Sequence, residues 1–125
     1  MKTDRKLLEM AAKAAGIDAG WHCPADEIEY QADNLAKSEG MWLKGARSPD
    51  NSKYWNPLAD DADALRLAVK LRITIYQDWK TQVQVEWRDG YTSLHRHVDC
   101  KDADRADATR RAIVLAAAEI GGAMP

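Results

Sequence analysis

The chain has no phenylalanine, only two cysteines (Cys23 and Cys100), and no apolar run long enough to span a membrane. Each absence closes a class of explanation. Two distant cysteines outside any CxxC arrangement supply neither a disulfide framework nor a cysteine zinc site, so both read as free thiols. The charged opening, MKTDRKLLEM, lacks the apolar segment of a secretion signal or membrane anchor, which sets the expectation of a cytoplasmic protein with no membrane partner. A surplus of one charge sign is missing too: 18 Lys and Arg stand against 20 Asp and Glu, a formal net charge of -2. That balance argues against a nucleic-acid binder, whose basic count is normally lopsided. No Ser-His-Asp, HExxH, P-loop or GxGxxG pattern is present, so no catalytic residues and no cofactor are expected.

What remains is a chain of 125 residues, long enough for one real core and too short for two, hence a single domain over 1–125. Five tryptophans must supply the large aromatic volume that phenylalanine does not. The stretch 54–71, YWNPLADDADALRLAVKL, carries the strongest helical signal. Asn56-Pro57 opens it, because proline lacks an N–H and suits a first turn. Asp60, Asp61 and Asp63 then cap free N–H groups at the positive end of the helix dipole. No glycine and distal glutamate follow them, so a calcium loop is the weaker reading. Leu58, Ala62, Leu65, Ala68 and Val69 form one apolar strip, with Leu67 and Leu71 a second; we expect Leu65 in the core and this helix to be buried on more than one side.

Thr3 or Asp4 caps an earlier helix that runs to about Ala15, with Leu7, Leu8, Ala11, Ala14 and Ala15 as its apolar face and Gly16 as its stop. Trp21 to Cys23 and Met41 to Lys44 read as short strands between glycines. Asp26 to Lys37 leans toward helix, and Arg47 to Lys53 reads as a solvent loop.

The clearest alternation lies in Arg72–Tyr76, Thr81–Arg88 and Tyr91–Val98. Asp89-Gly90 between the last two reads as a two-residue hairpin turn, which pairs Val85 with Leu94 and Gln84 with His95. The inner face is then Ile73, Ile75, Val83, Val85, Trp87, Leu94 and Val98, with Ile75 opposite Val83. The outer face holds Thr74, Tyr76, Gln82, Gln84, Glu86, Ser93, His95 and His97. A last helix from about Asp102 to Ile120, ended by Gly121-Gly122, offers Ala106, Thr109, Ile113, Ala116, Ala117 and Ile120 to the core. Both long helices need an apolar surface, and the inner face of the meander is the large one available. The expected fold is α+β: a three-stranded antiparallel meander at about 72–98, packed by the central and C-terminal helices, with an N-terminal helix and short extra strands.

Thr3-Asp4-Arg5, Leu7-Leu8-Glu9, Ala11 to Ile17, the WNPL-x-DD-x-DALRLAVKL run and Ala108 to Ile113 resemble a family of small phage and prophage proteins described as carrying a phage ABA sandwich domain. The likeness covers the three helices and is slight between Asp18 and Lys53. It implies a phage or prophage origin, action inside the host cell's cytoplasm, and a sheet sandwiched by helical layers. It brings no catalytic or ligand residues with it.

Candidate chemistry concentrates on the outer strand face. His95 and His97, two residues apart, are weak metal candidates, with Glu86 on the same face and Asp99 and Cys100 close behind. A solvated strand is the simpler explanation of both imidazoles. Lys70 and Arg72, or Arg105, Arg110 and Arg111, could touch phosphates, but interleaved acids favour ion pairs such as Asp107 with Arg111. Trp79, in a polar hairpin loop, is the best partner-facing aromatic. Tyr76, Trp79, Gln84, Glu86, His95 and His97 therefore form the expected binding surface of a non-enzymatic protein acting on a host or phage protein. The alternatives are a small-molecule or metal site on the same face and, behind it, nucleic-acid binding.

Overall fold

The computed structural model describes residues 3–22, 40–43 and 54–124. Helix α1 (Asp4–Ala15) begins where Thr3 Oγ1 accepts from the Lys6 N–H at 3.2 Å. It ends at Gly16, whose φ of 69° lets its own N–H and that of Ile17 reach back to the last turn. Strands β1 (Ala19–His22), β2 (Gly40–Leu43) and β3 (Tyr54–Trp55) form a small antiparallel sheet in that order. Met41 sits opposite Trp55 in its register, and both are buried. The readings of 26–37 as helix and 47–53 as loop, and the setting of Cys23, lie outside the described residues. Cys100 is a half-buried free thiol.

Helix α2 (Asp61–Leu71) starts later than its proline suggests: Pro57 is buried in a turn that precedes the first helical residue. The acids cap as expected. Asp60 accepts from the Asp63 N–H at 2.8 Å, and Asp63 reaches back to the Asn56 N–H at 2.9 Å. The core strip of α2 differs from the expected one. Ala64, Leu67 and Ala68 are buried, whereas Leu65 is 61% and Val69 69% exposed. Only one stripe can face the core, and the Ala64–Leu67–Ala68–Leu71 stripe is the one turned inward, toward the first and last helices of the chain. At the C-terminus Arg72 takes the left-handed conformation (φ 57°) usually given to glycine, and the Ile73 N–H closes the motif on Ala68.

Strands β4 (Thr74–Tyr76), β5 (Gln82–Asp89) and β6 (Thr92–Asp99) make the antiparallel meander, with β5 in the centre. The register is two residues from the expected one: Trp87 faces Leu94, Val85 faces Arg96, Gln84 faces His97, and Ile75 faces Val85. The turn is the cause. Gly90 and Tyr91 form it, with φ positive only at glycine, the sign pattern of a type II′ turn, while Asp89 stays in the strand opposite Thr92. A shift of two keeps every side chain on its expected face. Val83, Val85 and Trp87 are accordingly buried, although Leu94, at the hairpin end of an edge strand, is 37% exposed.

After a 3-10 turn (Asp102–Asp104), α3 (Arg105–Ala123) lies across β5 and β6 on the inner face and packs against both α1 and α2. This is the helix buried on several sides, the role expected of α2. Ala108, Ala112, Ile113, Val114, Ala116, Ala117 and Ala118 are buried, and Ala106 is exposed. Its alanines permit close approach. At Gly121 a Cβ would sit 1.9 Å from the Met10 carbonyl oxygen, so this glycine lies inside the helix at the α1 contact and does not terminate it. The result is an α+β fold in which the buried side chains form one hydrophobic cluster. Among the described residues, no helix is long and apolar enough to cross a membrane.

Candidate functional site

The pleat of β4–β6 places the expected surface residues in two rows. Tyr76, Gln84 and His97 are direct neighbours across the three strands, and Thr74, Glu86 and His95 form the next row. Each pair of strands contributes alternate residues to this face, and the inner face is occupied by α3. His95 and His97 are exposed, while Tyr76, Gln84 and Glu86 are half-buried by their neighbours. The Tyr76 hydroxyl donates to Glu86 Oε2 at 3.3 Å. The negative charge of Glu86 raises the Tyr76 pKa above its ordinary value, with desolvation, the hydrogen bond itself and Asp78 adding in the same direction.

Trp79 lies in the loop joining β4 to β5, at one edge of this face, and is 45% exposed. Arg105, at the start of α3, holds that loop. Its guanidinium donates to the Trp79 carbonyl at 2.6 Å, the Lys80 carbonyl at 2.9 Å and Gln77 Oε1 at 3.1 Å. Gln77 in turn donates to Thr109 Oγ1 at 2.8 Å. Sequence reading grouped Arg105 with helix charges and missed this role, because its partners are backbone carbonyls more than twenty residues away. The one available signal was an arginine opening the helix that follows the meander.

Arg110 and Arg111 are ties between elements. Arg110 bonds Asp107, Asp61 Oδ1 (2.5 Å) and the Leu58 carbonyl (3.0 Å), while Arg111 reaches Asp4 Oδ1 at 2.9 Å. In place of the expected Asp107–Arg111 pair, Asp107 pairs with Arg110 within α3 and Arg111 pairs with Asp4 of α1. The Arg105, Arg110 and Arg111 guanidiniums are thus bonded to groups of the chain itself, while Lys70 and Arg72 are exposed. Among the described residues no three His, Cys, Asp or Glu side chains converge as a metal site would require. The outer face offers hydrogen-bonding groups on a sheet, with one half-exposed indole, Trp79, in the adjoining loop.

Comparison with known proteins found no matching family model, no matching curated protein and no matching solved structure.

Proposed function

We propose that this chain is a phage- or prophage-encoded accessory protein that works in the host cytoplasm by binding a host or phage protein, without catalysis. The origin rests on the resemblance of the helical segments, above all the 55–71 run. The mode of action rests on one observation: Tyr76, Gln84, Glu86, His95 and His97 stand in adjacent rows of an exposed sheet face, with Trp79 held at its edge by Arg105. A face of this kind meets a partner without first reorganising, so little ordering entropy opposes association. Binding energy concentrates in a few aromatic or arginine anchors, and Trp79 is the aromatic anchor here.

The test is affinity capture with the tagged chain from the bacterial host, followed by binding isotherms of the recovered protein. Trp79→Ala and the double variant His95→Ala/His97→Ala should each weaken binding about tenfold or more, equivalent to roughly 1.4 kcal/mol, while the thermal midpoint stays near wild type. A recovered partner that binds both variants as tightly as wild type contradicts the assignment of this face.

A further inference from the structure

The side of α2 turned away from the core carries apolar side chains in line. Leu65 and Val69 stand one turn apart at 61% and 69% exposure, and Ala62, one turn before Leu65, is exposed too. A single exposed leucine is ordinary, whereas large apolar side chains stacked on successive turns mark a contact. The spacing 62, 65, 69 is the three-then-four pattern of a seam between two helices. Beside Leu65 a cavity of about 440 Å³ opens between α2, β4 and α3, with Ala64, Ile75, Ala106 and Ile113 in its lining. Apolar surface thus continues past the helix.

The two ends of this stripe are opposite in charge. Asp61 lies one turn before Leu65, Arg72 lies just beyond the last turn, and both are exposed. Arg110 of α3 takes Asp61 Oδ1 at 2.5 Å, yet the Asp61 side chain stays 82% exposed. The charged pair and the apolar pair share one centre: Asp61 with Arg72, and Leu65 with Val69, are both disposed about the Arg66–Leu67 step. Turned end for end about that point, the stripe meets its own complement. Leu65 then faces the partner's Val69, and Asp61 faces the partner's Arg72. Laid in the same direction, two copies would set like charges against each other at both ends. The reversed arrangement also sets the two helix dipoles head to tail. One contact opposes it: Arg66 flanks the seam and approaches the partner's Arg66 near the centre. Asp63, 3.2 Å from Arg66 within each copy, offsets part of that repulsion.

We propose that two copies of this chain associate through α2, antiparallel about a two-fold axis beside Leu67. Leu65 and Val69 of both copies make the apolar centre, an Asp61–Arg72 pair closes each end, and the partner's Val69 meets the mouth of the cavity next to Leu65. Such an interface is isologous, the same patch meeting itself. The helix has 11 residues, a length of about 16 Å, so the contact is smaller than the roughly 800 Å² per partner of a standard interface. The dimer is therefore reversible, and the monomer prevails in dilute solution. The proposal is independent of the outer face, which lies across the sheet from α3.

Sedimentation equilibrium of the purified chain between about 5 μM and 1 mM provides the test, and a reversible monomer–dimer equilibrium is expected. Val69→Glu, at an exposed position, should weaken association about tenfold or more while the circular dichroism and thermal midpoint of the dilute chain stay near wild type. Asp61→Lys and Arg72→Asp should each weaken it about fivefold or more, and the two in one chain should bring it back to within about threefold of wild type. In a Cys23→Ser/Cys100→Ser background, Arg66→Cys should link two copies through a short bifunctional maleimide, and Ala62→Cys should not, since only the former lies beside the axis. A chain that is monomeric at the highest concentration overturns the proposal. So does a dimer indifferent to Val69→Glu, a charge exchange that restores nothing, or linkage through Ala62→Cys in preference to Arg66→Cys.

Discussion

Tyr76 and Glu86 share a hydrogen bond on an otherwise wet face, and the carboxylate next to the phenol favours its neutral form. The sign of the linkage follows directly. A raised folded-state pKa means the contribution to stability is complete below the unfolded value of about 10 and is lost as pH rises through the higher folded value. Replacing the charge by Glu86→Gln should bring the Tyr76 titration back toward about 10 in an alkaline ultraviolet difference titration of the chain against its Tyr76→Phe variant. An unchanged titration would remove Glu86 as the cause. Gly121 makes a steric argument of the same scale. Met10 carbonyl occupies the space where a Cβ would go, and backbone cannot swing aside as a flexible side chain can. Gly121→Ala should therefore destabilise by about 1–3 kcal/mol through separation of α1 from α3, despite alanine's better helix propensity. A gain in stability on denaturant unfolding would show that the two helices do not approach so closely.

At the scale of elements, α2 shows how far periodicity reaches. Its existence and its acidic cap were legible in 55–71, because capping and apolar spacing are local properties, whereas its start at Asp61, beyond the proline turn, was not. Which of two apolar strips faces inward is a tertiary fact, settled by α3 lying alongside. Leu67→Ala should cost about 2–5 kcal/mol as a truncation of a buried side chain. Leu65→Ala should stay within about 0.5 kcal/mol, as exposed positions do. Equal losses in chemical denaturation would refute the stripe described. The hairpin teaches a related lesson. Asp-Gly marks the turn, but whether the pair fills both central positions or only glycine does is decided by the register of the strands. Faces survived the difference because alternation has a period of two. The β3 pairing of Tyr54–Trp55 was not legible, since two residues carry no alternation to read. Arg105, which ties α3 to the β4–β5 loop, has its own expected outcome: Arg105→Ala should speed amide exchange in 77–81 and weaken partner binding together, while leaving α3 protected. Faster exchange without weaker binding would detach the loop's order from its use.

For the molecule as a whole, helices collect on one side of the β4–β6 sheet. The resemblance implies helical layers on both sides, but among the described residues no helix packs on the outer face, where Tyr76, Gln84 and Glu86 are half-buried and His95 and His97 exposed. That asymmetry is what leaves a contact surface. Most of the outer-face set was readable from alternation alone, as the neighbours Tyr76, Gln84 and His97 show. The cavity that Leu7, Arg96 and Leu115 line together was not, because it depends on how α1, α3 and β6 are assembled, which no local pattern encodes. The claim on which the functional account turns is that the outer face meets the partner. Chemical-shift mapping of the isotopically labelled chain, titrated with the protein recovered by capture, tests it most directly. The account predicts the largest changes at the Trp79 indole, the His95 and His97 rings and the Tyr76 and Gln84 amides, with the α1–α3 contact at Met10 and Gly121 undisturbed. Changes confined to α1, α2 or the solvent side of α3, with the outer face silent, would contradict it.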